Sequence, residues 1–377
     1  MKVGLYLSDI TGAFDKVFKD FLLAELHSLG VADQFLDFLN SYLSPRLGYV
    51  AVEGVFSEVL DLADMCFQGT VLGPALWNAF FHDVALPAEY EGGTAAMFAD
   101  DLNMFKQFHR DTSNDDIKAE LEKTRQHVHA WGKRNRVTFD PAKEGLAIIH
   151  PLRGEGDDFK FLGCLFDVKL QMQKAVDRIV NQARPKIKAI LRTKAYYDLP
   201  SLIQQYKTHV WGILEHHNGA ILHSSETVLA KIDRMQRSFV SELLLTEEDA
   251  FVMYNFGPPR LRRDIGILGF LHKRVLEQCH PGVIHLLPLT APAWHNKQIE
   301  SNLDKCILRH GMYWRSLWGY IHIYNRLPQA FIDLNTVSEF QSALTHLARC
   351  RCNRGDGLWR DSFHSESEIW KTRLTMT

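Results

Sequence analysis

Three carboxylates stand apart by type and placement: Asp9, at the end of a period-two stretch, and the adjacent pair Asp100-Asp101 about ninety residues later. Carboxylate oxygens brought in from separate strands are the donors that a hard divalent cation takes. The same residues also serve ordinary structure, because a strand-terminal Asp caps a following helix and Asp-Asp suits a tight turn. Taken singly, that structural reading is the stronger one. Charge is unevenly spread: residues 1–110 hold 6 Lys/Arg against 15 Asp/Glu, and residues 160–237 hold 13 against 6. An acidic first part and a basic second part suit a metal-binding centre beside a polyanion-binding surface, although two solvated faces give the same counts.

The elements that must position these groups follow from periodicity. Val3, Leu5, Leu7 and Asp9 predict a strand ending on a carboxylate. Phe14, Val17, Phe18, Phe21, Leu22, Leu26 and Leu29 predict one helix stopped by Gly30. Tyr49–Val52 and Val55–Val59 flank Glu53-Gly54 as a hairpin, and a helix follows Gly69 with Pro74 in its first turn. Ala95–Phe98 and Leu102–Phe105 flank Ala99-Asp100-Asp101 as a second hairpin. Ile117, Leu121, Thr124, Val128 and Trp131 form one helical stripe, Val137–Phe139 and Leu146–Ile149 read as closing strands, and Phe159–Phe166 as a further hairpin. Beyond about residue 170 the pattern is helical, with Gly257-Pro258-Pro259 its clearest breaker. The fold class is therefore α+β over the first 155 residues and mostly α afterwards.

A hydrophobic content of 46% is that of a globular chain, long enough for two or three packed units. The first 30 residues do not look like a signal peptide, and charges interrupt every apolar run before it reaches membrane-spanning length. Cys66, Cys164, Cys279, Cys306, Cys350 and Cys352 lack a framework spacing and read as free thiols of a reducing compartment.

The order of motifs between the carboxylates changes their reading. Asp9-Ile10-Thr11-Gly12-Ala13-Phe14-Asp15, Gln68 to Asp83 with Gly69, Gly73, Pro74 and Asn78, Phe98-Ala99-Asp100-Asp101, Thr138 to Lys143, and Phe161-Leu162-Gly163 succeed one another over about 155 residues. In that order and spacing the chain resembles the reverse transcriptases of non-LTR, LINE-like retrotransposons. The resemblance implies a right-hand polymerase palm, an antiparallel sheet with packed helices, followed by a mostly helical thumb and C-terminal region. Its boundaries are expected at 1–155 for the palm, 156–245 for a primer-grip hairpin and thumb, and 246–377 for a helical region of unknown role. The implied activity is RNA-directed DNA polymerisation by two-metal nucleotidyl transfer. RNA template, DNA primer and deoxynucleoside triphosphates are the implied partners, with no membrane, and the location is intracellular, nuclear or cytoplasmic.

The resemblance also implies roles. Asp9 and Asp100 would bridge two Mg²⁺ ions, with Mn²⁺ able to substitute, Asp101 would be the auxiliary ligand, and the Ile10 carbonyl would complete the set. Phe14 would lie under the sugar of the incoming nucleotide and reject a 2′-hydroxyl. Gln68 and Gly69 would meet the nascent base pair and template, and Lys143 would lie near the triphosphate. Phe161, Leu162 and Gly163 would form the primer grip. The chain departs from the family at Asp140-Pro141-Ala142-Lys143-Glu144, where Glu144 is placed to draw off the charge of Lys143.

Lys174, Arg178, Arg184, Lys186, Lys188, Arg192 and Lys194 suit a thumb that holds a duplex by its phosphates. Tyr313-Trp314-Arg315 and Trp318 fit base stacking and buried helix packing equally, while His346, Cys350, Cys352 and His364 make a poor zinc spacing. Only eight residues precede Asp9, so the fingers are expected to be largely missing and the activity small. Two alternatives stand beside the polymerase: a non-catalytic nucleic-acid-binding remnant, and an RNA-dependent RNA polymerase. The latter class usually carries Gly-Asp-Asp and a polar residue where Phe14 stands.

Overall fold

The chain opens as its alternation requires, in the strand Lys2–Ser8 (β1). The structure, a computed structural model, describes residues 1–44, 46–62, 65–90, 92–290, 298–300 and 311–364, so Cys306 lies outside the described residues. Contacts divide it into two units, residues 1–159 with 167–170 and residues 160–166 with 171–377.

In the first unit β1 is followed by the helices Lys19–Ser28 (α1) and Asp33–Tyr42 (α2). Two small hairpins come next, Arg46–Gly48 (β2) with Leu60–Leu62 (β5), and Ala51–Val52 (β3) with Val55–Phe56 (β4). Gly73–Phe81 (α3) carries Pro74 in its first turn and leads to the short Leu86–Tyr90 (α4). Gly93–Phe98 (β6), Asp101–Phe108 (β7), Asn114–Asn135 (α5) and Gly145–Ile149 (β8) complete the unit. The sheet order is β6-β7-β1-β8, antiparallel at every junction. β7 and β1 are the two interior strands, each with a partner on both sides, and Leu5 and Tyr6 of β1 are fully buried.

The predicted helix over Phe14–Leu29 is broken in the structure. A 3₁₀ turn, Ala13–Lys16, and α1 are separated by Val17 and Phe18 in extended conformation. Apolar spacing carries across the break because Ala13, Val17, Leu22 and Leu26 all face one core. Likewise Val137–Phe139 is not a strand: Phe139 makes an isolated bridge to Ile10, and Thr11 N–H donates to Thr138 O at 3.1 Å.

The predicted stripe of α5 is buried as expected, and Ser113 caps the helix by accepting from Asp116 N–H at 3.1 Å. Gly4 explains how closely this helix meets the sheet. A Cβ there would lie 2.9 Å from Phe108, 3.1 Å from Ile117 and 3.2 Å from Leu121. Trp131 at the far end of α5 packs edge-on against Phe80 and Phe81 of α3 and donates to Asp83 Oδ1 at 2.5 Å.

In the second unit the hairpin Phe159–Phe161 (β9) and Cys164–Phe166 (β10) precedes Gln173–Arg192 (α6). Ala175, Val176, Ile179, Val180, Ala183, Ile187 and Ile190 line the buried side of α6, while Lys174, Arg178, Arg184, Lys186, Lys188 and Arg192 are exposed. Further helices include Leu199–Tyr206 (α7), which runs through a π-helical turn at Lys207–Trp211. Gly212–Glu215 (α8), Asn218–Ile221 (α9), Glu226–Glu242 (α10), Glu247–Tyr254 (α11) and Pro259–Val275 (α12) follow. The last described segment folds back on these helices. Trp359 stacks on Phe251, Arg360 meets Glu247 and Glu248, Asp361 meets Arg260, and His364 meets Asp264 and Glu226. Tyr313 is buried with its hydroxyl 2.6 Å from His322 Nε2, while Trp314, Arg315 and Trp318 are half-buried.

Replacing Gly4 by Val is expected to lower stability by about 1–3 kcal/mol through overpacking against α5. Denaturant unfolding checks this, and an unchanged midpoint would place the helix farther from the sheet.

Candidate active site

Register brings the three carboxylates to one end of the sheet. Ser8 pairs with Leu102, so Asp9, the next residue along, comes level with Asp101. Phe98 and Asp101 are the last pair of β6 and β7, which leaves Ala99 and Asp100 to make the turn. The Asp101 carboxyl is pushed above its ordinary range, first by burial and then by the negative charges of Asp9 and Asp100, while Lys143 acts the other way. Asp9 is itself buried, at 6% exposed.

Lys143 is the counter-charge. Its Nζ donates to Asp9 Oδ2, and that bond with the Asp9 charge holds the ammonium above its usual range, with smaller help from Asp140 and Asp100. The backbone aims it. Asp140 N–H donates to Asp9 O at 2.9 Å, the Asp140 side chain accepts from Ala142 N–H at 3.0 Å, and Lys143 N–H donates to Asp140 O at 3.0 Å. Glu144 does not take the Lys143 charge as expected. Its carboxylate instead accepts from the Tyr6 hydroxyl at 2.6 Å and lies 2.7 Å from His129 Nε2. Adjacent residues leave the chain in different directions here, and the two partners on the other side fix Glu144.

Phe14 is half-buried, with its ring centroid 5.6 Å from that of Trp77. Its carbonyl accepts from Cys66 N–H at 2.8 Å, and burial pushes the Cys66 thiol up to about 12. Gly73 at the start of α3 lies close against the preceding turn, where a Cβ would come within 3.0 Å of Phe67 O and 3.2 Å of Thr70 Oγ1. Gln68 and Gly69 occupy the exposed turn just before, where Gly69 has φ +78°, a conformation that favours glycine. Ile10 is buried beside Asp9 and bridges Phe139.

Sequence reasoning missed Trp77. Its indole N–H donates to the carbonyl of Ala99 at 2.7 Å, one residue before Asp100. The available signal was chemical: a Trp in an apolar helix needs an acceptor for its N–H. Phe161 ends β9, and Leu162 and Gly163 form the tip of the β9–β10 hairpin, in the second unit. Leu162 at φ +46° and Gly163 at φ +79° make the turn, with Leu162 substantially exposed.

Asp9, Asp100, Asp101 and Lys143 are thus brought together, and Phe14 is joined to them through Trp77. The oxygen-only donor set suits Mg²⁺ in kind. Among the described residues no three His, Cys, Asp or Glu side chains are gathered tightly enough to hold one ion. His346 lies 3.4 Å from Cys350, whereas His364 sits with Asp264 and Glu226 away from that pair. The five described cysteines are unpaired. A cavity of about 780 Å³ in the second unit, bordered by Trp211, Phe251, Arg262 and Phe270, includes none of the motif carboxylates. Among the described residues no helix is long and apolar enough to cross a membrane.

Comparison with known proteins bears on this geometry. Residues 3–166 match the family model "Reverse transcriptase (RNA-dependent DNA polymerase)". The RNA-directed DNA polymerase from mobile element jockey of Drosophila melanogaster is 28% identical over 202 residues, covering 49% of this chain and 22% of that protein. The probable RNA-directed DNA polymerase from transposon BS of the same organism is 26% identical over 238 residues, covering 54% and 26%. The chain therefore spans about a fifth to a quarter of the length of the relatives it matches. Among solved structures, apo telomerase from Candida tropicalis aligns with a TM-score of 0.37 at 12% identity, over 70% of this chain and 45% of that one.

Replacing Lys143 by Met removes the one influence of these neighbours that lowers the Asp101 carboxyl, so its pKa is expected to rise further. A carboxyl-carbon NMR titration reads this directly, and a midpoint that fell or stayed fixed would separate Lys143 from the cluster.

Proposed function

We propose that the reverse transcriptase domain at residues 3–166, of the kind carried by non-LTR mobile elements, is the catalytic palm of an RNA-directed DNA polymerase. RNA template, DNA primer and deoxynucleoside triphosphates are its partners. One observation carries the reading: Asp9 meets the adjacent pair Asp100-Asp101, distant from it in sequence, at one sheet end, where burial and then the charges of Asp9 and Asp100 raise the Asp101 carboxyl.

Reverse transcriptases generally use a divalent metal. Here Asp9 and Asp100, with Asp101 and the Ile10 carbonyl, would hold two Mg²⁺ ions, or Mn²⁺ in their place. Such a pair, when bound, would lower the pKa of the primer 3′-hydroxyl and neutralise charge on the leaving pyrophosphate. The chain's own residues do the rest. Phe14, packed against Trp77, would lie under the nucleotide sugar and exclude a 2′-hydroxyl. Gln68 and Gly69, in an exposed turn with φ positive at the glycine, offer backbone to the nascent pair. Lys143 balances Asp9 while no cation is bound and stands ready for the triphosphate. Leu162 and Gly163 at their hairpin tip steady the primer end, and the exposed cations of α6 hold duplex phosphates without reading sequence.

A second reading is favoured by a single observation. The exposed cations along α6 suit duplex phosphates whether or not the carboxylates catalyse, as in a nucleic-acid-binding remnant.

Primer extension on an RNA template with Mg²⁺ or Mn²⁺ separates the two. At most weak extension is expected from the unsubstituted chain, and none from Asp100→Asn. Binding of the hybrid should be retained in that variant and weaken steeply with salt. Salt-dependent binding with no extension in the unsubstituted chain would leave the remnant reading in place of the polymerase. Where extension occurs, Phe14→Ala is expected to admit ribonucleotides, an outcome that an RNA-dependent RNA polymerase would not give.

A further inference from the structure

We infer that Trp77 is a positioning residue for the aspartate turn, its indole N–H holding the Ala99 carbonyl so that Asp100 and Asp101 stay level with Asp9. The inference rests on the polymerase reading and assigns that site a residue outside its ligand set. The turn between β6 and β7 has only two residues, Ala99 and Asp100. Ala99 adopts φ +53°, in the left-handed region that a residue with a Cβ rarely occupies. Asp100 follows directly, so relaxation at Ala99 would swing the Asp100 carboxylate away from the sheet end. Repulsion among Asp9, Asp100 and Asp101 favours that relaxation. Something must hold the turn.

The Trp77 donor is suited to the task. It reaches Ala99 O at 2.7 Å, while its ring is 1% exposed and enclosed by Phe14, Phe80 and Phe81 with centroids 5.6, 5.9 and 5.1 Å away. A ring so enclosed delivers its N–H in one fixed direction. The exposed turn is thereby tied to the buried helix α3, and the same indole touches the ring beneath the proposed sugar site. One side chain spans the nucleotide-facing and cation-facing parts of the palm. A merely structural hydrogen bond would satisfy the indole and stabilise the fold without altering how cations bind.

Mn²⁺ affinity, measured by electron paramagnetic resonance on the full chain, distinguishes these roles. Trp77→Phe keeps the ring and removes the donor, and is expected to weaken Mn²⁺ binding by about tenfold. Ala99→Gly makes the left-handed turn readily accessible, so the double variant should recover most of that loss. In the unsubstituted protein, which covers the case of a poorly folding Trp77→Phe, the Trp77 indole ¹⁵N–¹H resonance should shift on titration with Mg²⁺. Equal Mn²⁺ affinity with and without the donor, or an indole resonance unmoved by Mg²⁺, overturns the positioning role and leaves the polymerase reading standing. If the unsubstituted chain shows no saturable Mn²⁺ binding, the metal-dependent reading and this inference fall together.

Discussion

The pairing register of β1 with β7 is the constraint on which the first unit depends. Side chains alternate along a strand, so a one-residue slip would turn Leu5 and the rest of its face to the opposite side of the sheet. The same slip would take Asp9 out of level with Asp101. Several independent contacts resist it. β8 pairs with β1 on the other side, Gly4 admits α5 only where Ile117 and Leu121 meet it, and Lys2 Nζ is anchored to Thr112 O and Asn114 Oδ1. The core and the carboxylate cluster are therefore specified by one alignment.

Gathering three carboxylates works against folding stability unless positive charge comes with them. Lys143 supplies part of it in the protein alone, from a loop whose shape Asp140 sets. This lysine is mostly exposed, so the pair is screened and its contribution to stability is small. Its importance is local: it sits on the carboxylate that opens the site, and any cation arriving there competes with it.

Much of this was legible in the sequence where burial and periodicity agree. The strand leading to Asp9, the hairpin around Asp100, the α5 stripe and the Phe159–Phe166 hairpin all read correctly; α5 buries a single stripe, whereas β1 is covered on both faces, with Leu5 and Tyr6 both buried. The helix over Phe14–Leu29 did not, since the extended pair Val17-Phe18 keeps its apolar side chains in phase with the helix that follows. α2 was not anticipated, and its Phe35, Phe38 and Tyr42 stack along an exposed side rather than marking a buried stripe. At the candidate site the motifs named the acidic residues but gave no hint of Trp77 or of where Glu144 turns. Those depend on which acceptor a side chain meets across the fold, and spacing along the chain carries no information about that.

The fold-back of Trp359 to His364 has a consequence for how the chain is made. Its partners, Phe251, Arg260, Asp264 and Glu226, lie about a hundred residues earlier, so the ribosome will have released them long before the closing segment emerges. Until then those acidic and apolar surfaces wait in water uncovered. The sheet of the first unit, by contrast, has all four of its strands once Ile149 is out, while the helical half is still open.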